Sequence, residues 1–224
     1  MHTGPCPVRG MLTHTITTVL FDYGGVMAEE GFRQGLLEIG RKAGLDPVAF
    51  FHAVEALIYE TGYLTGKADE PAFWNAVRKR TGVTGDDAGL REELLSRFVL
   101  RQDMVSLVDM LRAKGITVAL LSDQTNWLDT LDERTELYRH FDKVFNSYRI
   151  GMSKRDSAVF RYACDALGTR PGETLFVDDN AGHIARARVE GLNTIQCAVA
   201  ADCICLLGNA LPPGTIMSGG GRGV

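Results

Sequence analysis

Four stretches carry residues able to do chemistry. The run Thr17-Thr18-Val19-Leu20-Phe21 is apolar and β-branched, stops at Asp22, and turns on Gly24-Gly25. The run Ile116-Thr117-Val118-Ala119-Leu120-Leu121 stops at Ser122-Asp123-Gln124, and Thr174-Leu175-Phe176-Val177 stops at Asp178-Asp179-Asn180. Lys154 lies between the last two, in a segment poor in apolar residues. A carboxylate at the end of a buried strand is costly unless a metal ion or a substrate compensates it. Taken alone, Asp22 reads equally well as the cap of a turn, and Lys154 as a solvated surface lysine. Together, Asp22, Asp178 and Asp179 would repel one another unless a cation sits among them. All-oxygen ligation of that kind suits magnesium. The Ser122 hydroxyl and the backbone N–H groups from Asp123 onward suit phosphate oxygens.

These residues converge only if their strands lie side by side. From residue 103 onward helix and strand patterns alternate: strands at 116–121, 143–146, 174–177 and 193–196, with amphipathic helices between them. That alternation predicts an α/β fold, a Rossmann-like parallel sheet with helices on both faces. Ligands of such sheets sit at the carboxyl ends of the strands, where Asp22, Ser122 and Asp178-Asp179 fall. Residues ~30–100 show four amphipathic helices and no strand pattern. The expected division is a loose leader at 1–15 (with Met11 as a possible true start), an α/β core at 16–28 plus 102–210, an inserted four-helix cap at 29–101, and a glycine-rich tail at 211–224. Because the insert follows the first strand directly, it should hang over the site as a lid.

The net charge of -4 and the lack of a basic face argue against a nucleic-acid partner. No apolar run approaches the roughly 18 residues of a membrane span, and the first residues carry no apolar signal core. A cytoplasmic monomer or homodimer is expected. Five cysteines, an odd count with no C-x-x-C pair, argue against a disulfide framework or zinc site and for reduced thiols. Cys203 and Cys205 are read as packing residues.

With these stretches in place, residues ~16–200 resemble the haloacid dehalogenase superfamily of hydrolases. Phe21-Asp22-Tyr23-Gly24-Gly25-Val26 is similar to its first motif and Leu120-Leu121-Ser122-Asp123 to its second. Lys154 with Asp156 is similar to its third motif, and Phe176-Val177-Asp178-Asp179-Asn180 to its fourth. Gly66-Lys67 and Phe73-Trp74 resemble the helical cap of the subgroup that includes the phosphatase domain of bifunctional epoxide hydrolases. The resemblance implies a phosphatase acting on a small phosphorylated metabolite through an aspartyl-phosphate on Asp22. Magnesium would be held by Asp22, the Gly24 carbonyl and Asp179, supported by Asp178. Ser122, Asp123 and Lys154 would hold the phosphoryl group, and Lys154 would also ease charge repulsion. Two positions depart from the pattern. Gly24 stands where the family's phosphatases carry a general-acid aspartate, so an easy leaving group or a substitute acid, Glu29 or Glu30, is expected. Arg155 replaces the proline that follows the lysine. Two alternatives follow: a phospholigand-binding protein that has lost turnover, or a 2-haloacid dehalogenase.

Other residues read more plainly. His52 and His183 are expected on helix faces, and Trp74 and Trp127 in the core. Arg33 and Tyr63 are possible substrate contacts from the insert.

Overall fold

The computed structural model describes residues 15–211. The leader through residue 14, with Met11 and Cys6, and the glycine-rich segment from 212 lie outside the described residues. Five strands, β1 (Thr18–Phe21), β2 (Thr117–Ser122), β3 (Lys143–Asn146), β4 (Thr174–Asp178) and β5 (Asn193–Gln196), form one sheet in the order β3-β2-β1-β4-β5. Every pairing is parallel. The expected α/β fold with a parallel sheet is what forms.

Strand β1 is central, which is why its apolar run is continuous: both faces are covered. Val19 and Phe21, Val118 and Leu120, and Leu175 and Val177 face one core. Leu20, Ala119, Leu121 and Phe176 face the other. The first face is covered by α5 (Gln102–Ala113) and α10 (Ala200–Ala210). The second is covered by α8 (Ala158–Leu167) and α9 (Ala181–Val189).

Between β1 and α5 the chain forms α1 (Gly31–Lys42), α2 (Pro47–Glu60), α3 (Glu70–Thr81) and α4 (Asp87–Leu95). Asp46, Asp69 and Asp86 each accept a hydrogen bond from a first-turn N–H of the helix that follows, the usual satisfaction of a helix start. The two connections between insert and sheet run beside each other. Ala28 and Leu100 form an antiparallel bridge, reinforced by bonds from the Glu29 N–H to the Val99 carbonyl and from the Arg101 N–H to the Met27 carbonyl, both 2.9 Å. After β2 come α6 (Trp127–Thr135) and, after β3, a single turn α7 (Ser147–Ile150).

One sequence expectation is overturned. Cys197 and Cys203 form a disulfide, with Cα atoms 5.5 Å apart, so the cysteines are not all reduced thiols. The chain leaves β5 at Cys197, turns, and re-enters as α10, which brings residues six apart within bridging range. No C-x-x-C spacing announces such a turn. Cys164 is a buried free thiol. Among the described residues no helix is long and apolar enough to cross a membrane.

Candidate active site

Parallel register sets the site. Phe21 pairs with Leu120 on one side and Val177 on the other, and the Asp22 N–H continues the ladder to the Val177 carbonyl at 2.9 Å. Asp22, Ser122 and Asp178 therefore emerge at one edge. Carboxylate oxygens of Asp22, Asp178 and Asp179 lie within 4.8 Å of one another.

Lys154 is not on the surface. It is 1% exposed, and its Nζ stands 2.7 Å from Asp22 Oδ1 and 2.7 Å from Asp178 Oδ2. The loop that carries it is tied down at both backbone atoms. Its N–H donates to Asp123 Oδ1 at 2.8 Å, and its carbonyl accepts from Arg186 Nε at 2.5 Å. Asp123 also accepts from the Ser147 hydroxyl at 2.8 Å, so its carboxylate fastens the lysine loop as well as bordering the site. Asp178 is fully enclosed, accepting from Lys154, from the Asn180 N–H at 2.7 Å and facing His183 Nδ1 at 3.1 Å.

One lysine shared among three carboxylates leaves the charge unevenly compensated. Burial pushes the Asp22 carboxyl up, to about 8; Lys154 opposes this, and Asp178 and Asp179 add to it. Burial also works against Asp178, but Lys154 and His183 outweigh it and hold that carboxyl at about 2. Burial raises Asp179, with Asp178 adding to the effect. Burial disfavours the Lys154 ammonium, yet Asp178 and Asp22 more than offset this and keep it protonated. The cluster is thus short of positive charge, and its all-oxygen donor set fits a hard divalent cation.

Gly25 holds the turn in the left-handed region, at φ 79°. A Cβ there would sit 2.4 Å from Asp179 Oδ2. Gly25→Ala should therefore displace Asp179 and weaken the affinity of the cluster for a divalent cation. Titrating magnesium against both proteins by calorimetry checks it; unchanged affinity would reject the account. Arg101 braces the same turn, donating to the Gly25 carbonyl at 2.6 Å and the Ala198 carbonyl at 3.1 Å while pairing with Glu29.

The site opens into a cavity of about 270 Å³ bounded by Asp22, Ser122, Lys154 and Asp179 from the sheet edge and by Glu30, Arg33, Phe51 and Tyr59 from the insert. Gly24, Asp123 and His183 also border it. Ser122 is 1% exposed, so what it offers is directed inward. Asp178 does not reach the cavity wall; it stands behind Lys154.

Several sequence expectations change here. His183 is not merely a helix-face residue, since it touches Asp178 and borders the cavity. Asn180 caps α9 and so sets where His183 falls on its first turn, but nothing in the sequence names Asp178 as its partner. Arg33 borders the cavity and stacks over Phe51 at 4.5 Å. Tyr63 does not; it is buried, donating its hydroxyl to Asn126 Oδ1 at 2.6 Å. Trp74 and Trp127 are core residues, and Trp127 also reaches the cavity. His52 is exposed beside Glu55. Arg155 stacks over the Tyr59 ring at 3.3 Å, so the residue that replaces the proline bridges the lysine loop and the insert.

Comparison with known proteins agrees with this geometry. The sequence pattern of the haloacid dehalogenase-like hydrolases matches residues 16–189. A stretch of 103 residues, 43% of the chain, is 31% identical to bifunctional epoxide hydrolase 2 of Rattus norvegicus, of which it spans only 18%. (S)-2-haloacid dehalogenase 1 of a Pseudomonas species is 35% identical over 134 residues, 55% of this chain and 59% of that one. A haloacid dehalogenase family enzyme of Bacteroides thetaiotaomicron, solved with magnesium and inorganic phosphate, superposes with a TM-score of 0.62 at 23% identity, over 81% of this chain and 93% of that one.

Proposed function

The chain belongs to the haloacid dehalogenase-like hydrolases, and from that premise we propose that it is a magnesium-dependent phosphatase acting on a small phosphorylated metabolite. The observation that carries this reading is the cluster of Asp22, Asp178 and Asp179 with Lys154 buried against it. Such a site accommodates a dianionic phosphoryl group only with further positive charge.

Asp22 is the nucleophile. It attacks phosphorus, the aspartyl-phosphate forms as the leaving group departs, and water then releases phosphate. Lys154 lies against Asp22 and neutralises charge as the phosphoryl oxygens approach, a preorganised cation in a site sheltered from solvent. Ser122 and the N–H groups that follow it bind those oxygens. Asp178 keeps Lys154 protonated and fixed in place. Asp22, the Gly24 carbonyl and Asp179 would hold the magnesium, which when bound supplies the charge that the anionic pocket lacks. The helices of the insert act as a cap that reads the leaving group, and the Arg155–Tyr59 stack links that cap to the lysine loop.

A second reading has two observations in its favour. Gly24 offers no side chain to a leaving group, which suits halide departure, and a dehalogenase is among the relatives. The carboxylate cluster favours the phosphatase.

The deciding experiment uses metal-stripped protein. Inorganic phosphate should be released from p-nitrophenyl phosphate on adding magnesium and not before. Chloride released from 2-chloropropionate without magnesium, with no phosphate release, would reverse the order of the two readings. Binding of a phosphate analogue with no turnover of either substrate would mark a binding protein.

A further inference from the structure

When the P–O bond to an alcohol breaks, the departing oxygen takes the electron pair and needs a proton, and a positioned donor accelerates that step. At Gly24 there is no side chain to supply it. Most other groups near the nucleophile are already engaged. Lys154 is fixed between two carboxylates, and Asp123 accepts from Ser147 and from the Lys154 backbone. Asp178 is sealed behind the lysine. Glu29 is held in a forked pair with Arg101, at 2.9 and 3.0 Å, and that pairing lowers its carboxyl. Tyr59 is a weaker acid still, pushed up to about 12 chiefly by burial.

Glu30 remains. It follows the Ala28–Leu100 bridge, caps α1 by accepting from the Arg33 N–H, is half-buried, and borders the same cavity as Asp22. We propose that Glu30 is the proton donor to the leaving group, filling from the insert the role that Gly24 cannot fill from the sheet edge. The proposal rests on the phosphatase reading. Burial raises the Glu30 carboxyl, the Arg33 N–H opposes this, and Asp179 adds to the rise; Arg33 is the facing cation. In the first step an Asp22 oxygen bonds to phosphorus, the bond to the alcohol oxygen breaks, and that oxygen takes the Glu30 proton. In the second, ionised Glu30 takes a proton from water as the water oxygen attacks phosphorus. The bond to Asp22 breaks, and inorganic phosphate and the original carboxylate return.

Glu30→Gln preserves an oxygen that can cap α1, so thermal unfolding should match the parent. Its kcat/KM on an alkyl phosphate, which reports the first step and whose leaving group needs a proton, should fall about 10²–10⁴-fold. Its kcat/KM on p-nitrophenyl phosphate, whose leaving group needs none, should fall far less, while kcat on both substrates shares the slower second step. A second variant adds Gly24→Asp to Glu30→Gln. A Cβ at position 24 meets only Phe98 Cε1, at an ordinary 3.5 Å, so this carboxyl should fit and restore alkyl-phosphate turnover. Equal loss of kcat/KM on both substrates, or no loss on either, overturns the proposal while leaving the phosphatase reading intact. So does a His183→Asn variant that alone shows the selective loss. Absence of phosphate release by the parent from either substrate removes the reading itself, and the proposal with it.

Discussion

Lys154→Met should lower the stability of the folded chain by roughly 3–5 kcal/mol, the usual cost of stripping one partner from a buried ion pair. The Lys154 Nζ stands 2.7 Å from two carboxylates, one of them fully enclosed. Methionine matches the length of the stem but brings no charge and no donor. The cost should shrink when magnesium is present, because a bound cation would return positive charge to the same cluster. Denaturant unfolding with and without magnesium measures both effects. Turnover should fall by at least about 10²–10³-fold, the scale seen on removal of a single preorganised donor. A variant as stable as the parent in metal-free buffer would show that the pairing is not what holds this edge together.

Asp22→Asn separates stability from activity. On the phosphatase reading, aspartyl-phosphate can then no longer form, and turnover of any phosphate monoester should disappear. Stability should move the other way. The Asp22 carboxyl ionises at its ordinary 3.8 in the unfolded chain and at about 8 when folded, chiefly because it is buried. Below the lower value it is neutral in both states and costs nothing. As pH rises toward 8 the unfolded state ionises first, so the parent loses stability across that window and stays penalised above it. The uncharged amide escapes this penalty. In metal-free buffer near pH 8 the variant should gain at least about 1 kcal/mol, or roughly 2–4 °C in Tm for a chain of this size. Near pH 4 the two melting curves should coincide. Calorimetric scans across that range test the sign, and a variant less stable than the parent at pH 8 would show that the Lys154 pair outweighs burial.

The chain's order of apolar runs was enough to predict a parallel sheet. It also placed Asp22, Ser122 and Asp178-Asp179 together, because neighbouring parallel strands end at a common edge. The four amphipathic helices between residues ~30 and 100 were equally legible, since their apolar positions recur at helical spacing. What could not be read were contacts between distant segments. Nothing in Gly151–Asp156 shows that Lys154 is buried; that follows from Asp123 and Arg186 gripping its backbone from two other elements. Nothing near Cys197 indicates a bond to Cys203, because the turn that joins them is shaped by α10 packing on the sheet. His183 against Asp178, Arg155 over Tyr59 and Glu30 on the same cavity as Asp22 are likewise decided only in three dimensions. Local patterns fix which backbone a segment adopts, whereas the neighbours of a side chain across the fold depend on how whole elements pack.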